Sequence, residues 1–474
     1  MQSSPGFGFV EFGLVVNSRM GMKFANLVPA SFMNGTKKAG VLAGLLLGTT
    51  FAALAAPFVA GADFSDLSFF ESRGKVYKDG GQVQDGLQIL KNHGINCIRL
   101  RLWTSSAAQA QANAYNYTNN LTYTVPLAVR VKNAGLLFCL DFHYSDTWAD
   151  PNDQAKPAAW ASLTFPQLVQ QMRTYNSNTI AAFAAAGAMP DYVQVGNEIP
   201  QGMLFPDGQV SGSQNTSWSQ LGQLMNAAIQ GIKDATNATG AKMPKIIVHI
   251  DRGGDWGTTM WFFDNLNFQG VPYDIIGESY YPWWHGSPTS LNICLSNAAV
   301  RYGKPIIVAE TAFPWTNTFP TSWTNFGSLY GFPPTRDGQV SFIAALAKVV
   351  KSVTNQLGAG VFYWGAEYQA ANGVNEAGFN TASFFDTGGN VLPVADAVGG
   401  MAAPLLIRPS LNGSNLRLQW PFSGAASKLM TTTTLAPSTA WSSVPDPIQA
   451  TGAMFTVTLP LDSSQSRFYR LQSN

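Results

Sequence analysis

Eight short apolar runs, mostly separated by amphipathic stretches, constrain what this chain of 474 residues can fold into. They lie at 58–64, 97–103, 136–143, 191–198, 245–251, 274–281, 305–312 and 360–365. A continuous apolar run bounded by turn residues reads as a strand buried on both faces. The stretches between them, among them 82–93, 127–134, 165–186, 218–236 and 339–357, carry helical spacing. Eight βα units in a row predict a parallel sheet closed into a (β/α)8 TIM barrel over residues 57–402. An open doubly wound sheet is the alternative, but no Gly-rich phosphate loop follows the first run.

Near residue 402 the composition shifts. Residues 404–474 are rich in Thr, Ser and Pro, with short alternating runs at 415–420, 428–435, 454–461 and 467–471. They read as a small C-terminal all-β, sandwich-like accessory module, either structural or carbohydrate-binding. Residues 1–56 read as an N-terminal extension and signal peptide. Lys37 and Lys38 precede an apolar run over 39–55 that ends in Ala53-Leu54-Ala55-Ala56, so cleavage is expected near Ala55 or Ala56. Met20, Met22 and Met33 are alternative starts, and an uncleaved anchor is the alternative fate. A secreted, cell-surface or periplasmic monomer is expected, free of the membrane once cleaved. A net charge of +1 gives no case for a nucleic-acid partner or an anionic membrane. Three cysteines, Cys97, Cys139 and Cys294, without short spacings argue against a disulfide framework or zinc site. Buried free thiols are expected, with a Cys97–Cys139 bridge as the alternative.

Two of the runs end in a glutamate: Asp191-Tyr-Val-Gln-Val-Gly-Asn-Glu198 and Pro305-Ile-Ile-Val-Ala-Glu310. An acid at the carboxyl end of a barrel strand sits on the catalytic face. Two on distant strands suggest the paired carboxylates of a glycosidase. Glu198 would be the acid/base and Glu310 the nucleophile, with Asn197 beside Glu198 bonding a sugar hydroxyl. A carboxyl separation of about 5–5.5 Å would mean retention of configuration.

Other strand ends supply candidate substrate-binding groups. Arg99 and Arg101 share one strand face, and one of them is expected to hold a nucleophilic carboxylate ionised. The segment Asp141-Phe-His143-Tyr-Ser-Asp146-Thr-Trp148-Ala-Asp150 suits a sugar subsite. His249 and Asp251, two apart on the fifth strand, are expected to face the cleft. In Tyr280-Tyr281-Pro-Trp283-Trp284-His285, one Tyr would donate to Glu310 and the Trp pair would form stacking walls. Trp364 would floor the reacting sugar. His143 and His249 lack a matching ligand spacing, so no metal and no cofactor is expected. With 13 Trp, 30 Phe and 15 Tyr, most aromatics are expected in packing and a minority in the cleft.

Residues 61–365 resemble glycoside hydrolase family 53, the secreted arabinogalactan endo-β-1,4-galactanases of clan A. The resembling segments are Gly61-Ala-Asp-Phe-Ser65, Arg99-Leu-Arg-Leu-Trp103, the 141–150 segment, Gln194-Val-Gly-Asn-Glu198, Ser279-Tyr-Tyr-Pro-Trp-Trp284 and Glu310-Thr-Ala-Phe-Pro-Trp315. The resemblance implies endo-hydrolysis of the β-1,4-galactan side chains of pectin with retention, through Glu198 and Glu310. Two positions depart from it. Trp364-Gly-Ala-Glu367 stands where the family commonly has Trp-Glu-Pro, and Glu278 where it usually has an apolar residue. The segment 316–331 has no Asp or His, so the calcium site of some bacterial members is not expected; Trp315, Trp323 and Phe326 are expected to line the cleft instead.

Overall fold

The computed structural model describes residues 13–16, 23–25, 57–210, 216–324, 329–434, 440–460 and 466–473. Each of the eight apolar runs forms a strand: β1 Val59–Asp63, β2 Cys97–Leu102, β3 Leu137–Phe142, β4 Tyr192–Val195, β5 Lys245–Ile250, β6 Ile275–Ser279, β7 Ile306–Thr311 and β8 Gly358–Tyr363. All neighbouring pairs are parallel, β8 pairs with β1, and the barrel is closed. The fourth apolar run extends beyond its strand, because its end is a turn. Gly196 takes φ +89°, and the chain leaves the sheet there.

Burial on both faces explains the continuous apolar pattern. One residue from every strand, Val59, Cys97, Cys139, Tyr192, Ile247, Ile275, Ile307 and Phe362, packs into a plug inside the barrel. Cys97 and Cys139 belong to this plug as free, buried thiols, as does Cys294 to the surrounding core. The side chains of the opposite face meet the helices, which pack around the barrel. Helix starts follow their caps. Asp85 accepts from Leu87 and Gln88 N–H, so the helix expected over 82–93 begins only at Gly86, and Gln82–Gln84 instead pairs with Tyr77–Asp79 in a hairpin. The helix expected over 339–357 runs Arg336–Lys351, with Thr335 as its cap.

The C-terminal strands form antiparallel sheets. Arg408–Asn412, Asn415–Pro421, Met454–Pro460 and Gln449–Thr451 make one, and Ser427–Thr432, Ser442–Ser443 and Arg467–Ser473 belong to another. Alternate residues Leu416, Leu418 and Trp420 face the core with Phe455 and Val457. Two short strands before the signal-like segment, Gly13–Val16 and Lys23–Ala25, extend the second sheet through pairing with Arg467–Ser473. A chain cleaved near Ala55 would lack that edge. The signal-like segment itself lies outside the described residues. No helix among the described residues is long and apolar enough to cross a membrane.

Phe362 is the largest apolar side chain of the plug and abuts Gly61, where an added Cβ would fall 2.3 Å from the ring. Phe362→Ala is expected to lower unfolding stability by about 3–5 kcal/mol in chemical denaturation.

Candidate active site

The strand ends surround a cavity of about 510 Å³ lined by Glu198, Glu310 and residues from five of the strand-end loops. Glu198 takes φ +47°, a costly conformation for a non-glycine residue. The turn that imposes it also presents the carboxyl to the cavity. One carboxylate oxygen from each of Glu198 and Glu310, and one ring nitrogen of His249, lie within 4.8 Å of one another.

Arg99 organises the floor. Its guanidinium is fully buried and reaches Asp63 at 2.9 Å, Asp141 at 2.9 Å and Glu310 Oε1 at 3.0 Å. It also donates to Asn197 Oδ1 at 2.9 Å and to Gln194 Oε1 at 3.2 Å. Burial would lower the Arg99 pKa, but the charges of Asp141, Glu310 and Asp63 more than offset this and raise it. Tyr281 donates its hydroxyl to Glu310 Oε2 at 2.9 Å. Burial and the Glu310 charge hold that phenol well above its ordinary pKa, so it remains a donor.

The two glutamates differ in their surroundings. Burial raises Glu310 to about 7, against the opposing pull of Arg99. Burial and then the Glu310 charge push Glu198 well above the usual carboxyl range, and its own donor is Ser279, a neutral hydroxyl at 2.6 Å. Glu310, with a cation and a phenol on its oxygens, therefore ionises first, and Glu198 keeps the proton. This is an acid beside a base. A cation is poorly suited to the same trio. Both ring nitrogens of His249 already have partners, and Arg99 occupies Glu310.

The walls are aromatic. Trp148, Trp284, Trp364 and Phe379 line the cavity, with Arg101 between Trp148 and Trp364 at 4.5 and 5.7 Å from the ring centroids. Arg101 is otherwise committed to Asp63 and Asp66, so it stiffens the wall. His143 lines the cavity too. Its Nδ1 accepts from Ala149 N–H, which leaves Nε2–H to donate to Asp141.

Eight sequence candidates do not line the cavity, among them Arg99, which lies buried in the floor. Tyr280 is buried and donates to Gly286 O; its neighbour Tyr281 reaches Glu310, because adjacent residues at a strand end point to opposite sides. Trp283 is buried and stacks on Trp323 with centroids 4.1 Å apart, so neither is a cleft wall. Asp146 accepts from Thr104, Gln109 and Ala158, tying loops together. Trp315 lies in an outer groove beside Arg336. His249 stands one layer behind, and Asp251 pairs with Arg252 at the edge. Phe326 lies outside the described residues. Asn113, Tyr115, Asn116, Asn375 and Glu376 do line the cavity and carried no sequence signal, since Asn375 and Glu376 sit in an irregular loop and the others in a single helical turn, Ala114–Tyr117 with its cap Asn113, too short to show a period.

The two departures turn inward. Glu367 is fully buried and accepts from Asp66 N–H at 2.6 Å. Glu278 is fully buried, accepting from Thr259 Oγ1 at 3.0 Å and Arg252 N–H at 3.1 Å. Burial holds Glu278 well above the usual carboxyl range. The folded chain thus keeps a proton that the unfolded chain releases above the ordinary carboxyl pKa. That contribution is fully present below the unfolded pKa and is lost as pH rises. With Glu278 protonated, the Thr259 hydroxyl can turn to Arg252 O, 3.4 Å away, and accept from the acid instead, and a Gln amide can donate to it in the same way. Glu278→Gln is therefore expected to stabilise the protein by about 1–3 kcal/mol at pH 8, with the gain shrinking toward pH 5, read by thermal melts at both values.

The profile of "Glycosyl hydrolase family 53" matches residues 59–398. An arabinogalactan endo-beta-1,4-galactanase of Humicola insolens is 36% identical over 311 residues, 64% of this chain and 88% of that protein. An uncharacterized protein of Niallia circulans is 41% identical over 316 residues, 65% of this chain and 83% of that protein. The solved Ignisphaera aggregans GH53 catalytic domain superposes with a TM-score of 0.66 at 33% identity, covering 73% of this chain and 97% of that domain. A fungal beta-1,4-galactanase structure superposes at 0.63 with 32% identity, covering 73% and 99%. This chain belongs to glycosyl hydrolase family 53 and is a glycoside hydrolase.

Proposed function

We propose that this chain is a secreted, retaining endo-β-1,4-galactanase acting on the β-1,4-galactan of pectic arabinogalactan. The observation that carries the chemistry is the facing pair, Glu310 held by Arg99 and Tyr281 and Glu198 held protonated. One oxygen of each lies within 4.8 Å of the other, short of the roughly 6.5–9.5 Å between carboxyl groups that admits an attacking water beside the sugar, which supports direct attack by a carboxylate. The choice of galactan rests on the relatives that bear that name. Export rests on the basic and apolar segment over 37–56.

In the first displacement a Glu310 oxygen bonds the anomeric carbon, while Glu198 gives its proton to the departing glycosidic oxygen. As Glu310 loses its charge, Arg99 keeps its ion pairs with Asp63 and Asp141. In the second, Glu198, now ionised, takes a proton from water, which attacks the same carbon and frees Glu310. Trp364, beside Phe379 at 4.3 Å, offers a flat face to the reacting sugar. Asn197 is held by Arg99 and by its own donation to Ala149 O, which fixes it next to the acid.

Reducing-end release from linear β-1,4-galactan, with mannan and xylan in parallel, tests the reading. Cleavage of galactan alone is expected, with Glu310→Ala lowering the rate by about 10³–10⁵-fold. Cleavage of another glycan would move the specificity. Binding of galactan without turnover would contradict the enzyme reading.

A further inference from the structure

A hydrogen-bonded chain runs behind the acid and gives it a direction. Ser279, at the end of β6, has a single hydroxyl proton, and its Oγ lies 2.6 Å from Glu198 Oε1 and 2.8 Å from His249 Nε2. All three side chains belong to different strand ends, and Ser279 and His249 are fully buried. On the far side of the imidazole, Gln194 Nε2 approaches His249 Nδ1 at 3.1 Å. Asn197 Oδ1 lies 3.2 Å from the same nitrogen, but it already accepts from Arg99 at 2.9 Å and from the Gln194 amide at 3.1 Å, which fills its two lone pairs. An amide nitrogen can only donate, so the Gln194 N–H shared between Asn197 Oδ1 and the ring makes Nδ1 the acceptor, and Nε2 carries the hydrogen. Nε2–H then donates to Ser279 Oγ, which leaves the serine hydroxyl to donate to Glu198 Oε1. Gln194 is itself held in this orientation because its oxygen accepts from Arg99. Thus the order of donors is set from the buried guanidinium to the acid.

We infer that Ser279, oriented by His249, is a positioning residue that confines the catalytic proton of Glu198 to Oε2, the oxygen left for the leaving group. Oε1 accepts throughout the cycle. The proton leaves from Oε2 to the glycosidic oxygen and returns to Oε2 from water, and none passes through the serine. The inference rests on the assignment of Glu198 as acid/base made above. Burial holds His249 well below its ordinary pKa, so the imidazole stays neutral and the direction does not reverse with pH. Arg99, Asp141, His143 and His285 are the charged or titratable groups around it. The groups facing Glu198 are Glu310, Asp251, Asp150, Tyr281 and this Ser279–His249 pair.

Ser279→Ala removes the donor to Oε1 and frees the proton to occupy either oxygen. Turnover of galactan is expected to fall by about 10- to 100-fold in kcat. The alkaline limb of kcat/KM is expected to move about one pH unit higher, because the carboxylate loses a hydrogen bond that favours ionisation. A galactobioside with a dinitrophenyl leaving group needs no proton, so its rate of glycosyl-enzyme formation should stay within about threefold of wild type. Ser279→Thr keeps the hydroxyl and should restore the alkaline limb. If Ser279→Ala does not fold, His249→Ala breaks the same chain one link back and should move the limb in the same direction. An equal loss on both substrates, or an unmoved alkaline limb in a folded variant, would overturn the inference. Absence of galactan cleavage by the wild type would instead sink the function on which it rests.

Discussion

The buried guanidinium of Arg99 is the interaction on which the rest of the site depends. It joins β1 through Asp63, β3 through Asp141, the end of β4 through Asn197, and β7 through Glu310. Removing one member of such a cluster leaves the others buried without compensation, which costs several kcal/mol. The cluster carries more carboxylates than cations, because Arg101 is shared with Asp66. That excess, with burial, is why a proton remains on one of the facing glutamates. The strand ends are thereby fixed to one another, and the electrostatics that separate acid from base follow from the same contacts.

Two kinds of packing support this floor. Below it lies the plug of one side chain per strand, a layer that only a closed barrel can provide. Around it, the aromatic residues divide by position. Trp148, Trp284 and Trp364 face the cavity, whereas Trp103, Trp218, Trp283 and Trp420 are fully buried. Trp284 remains half-exposed, at 47%, beside the buried Trp283. Adjacent residues of one motif thus take opposite roles, one as a wall and one as the packing behind it.

Much of this was legible in the sequence. All eight strands follow from short, largely apolar runs, and Glu198 and Glu310 follow from their position at strand ends. What resisted reading was direction. Tyr280 and Tyr281 are indistinguishable by residue type, and only the alternation at the end of β6 decides which reaches Glu310. Likewise His249 fits a cleft residue by alternation, but Ser279 stands between it and Glu198. The loop residues Asn375 and Glu376 reach the cavity from a segment with no periodicity. The charge at Glu278 looked available for the cleft, yet a threonine hydroxyl and a backbone N–H satisfy it behind β6.

The most direct test of the central claim, that Glu310 attacks carbon while Glu198 donates the proton, is the anomeric configuration of the first-formed product. Proton NMR spectra collected in the first minutes of galactan hydrolysis, before mutarotation, read it. The account predicts that the new reducing end appears as the β anomer and only later equilibrates. Initial appearance of the α anomer would mean that water, not Glu310, attacks, and would contradict the account.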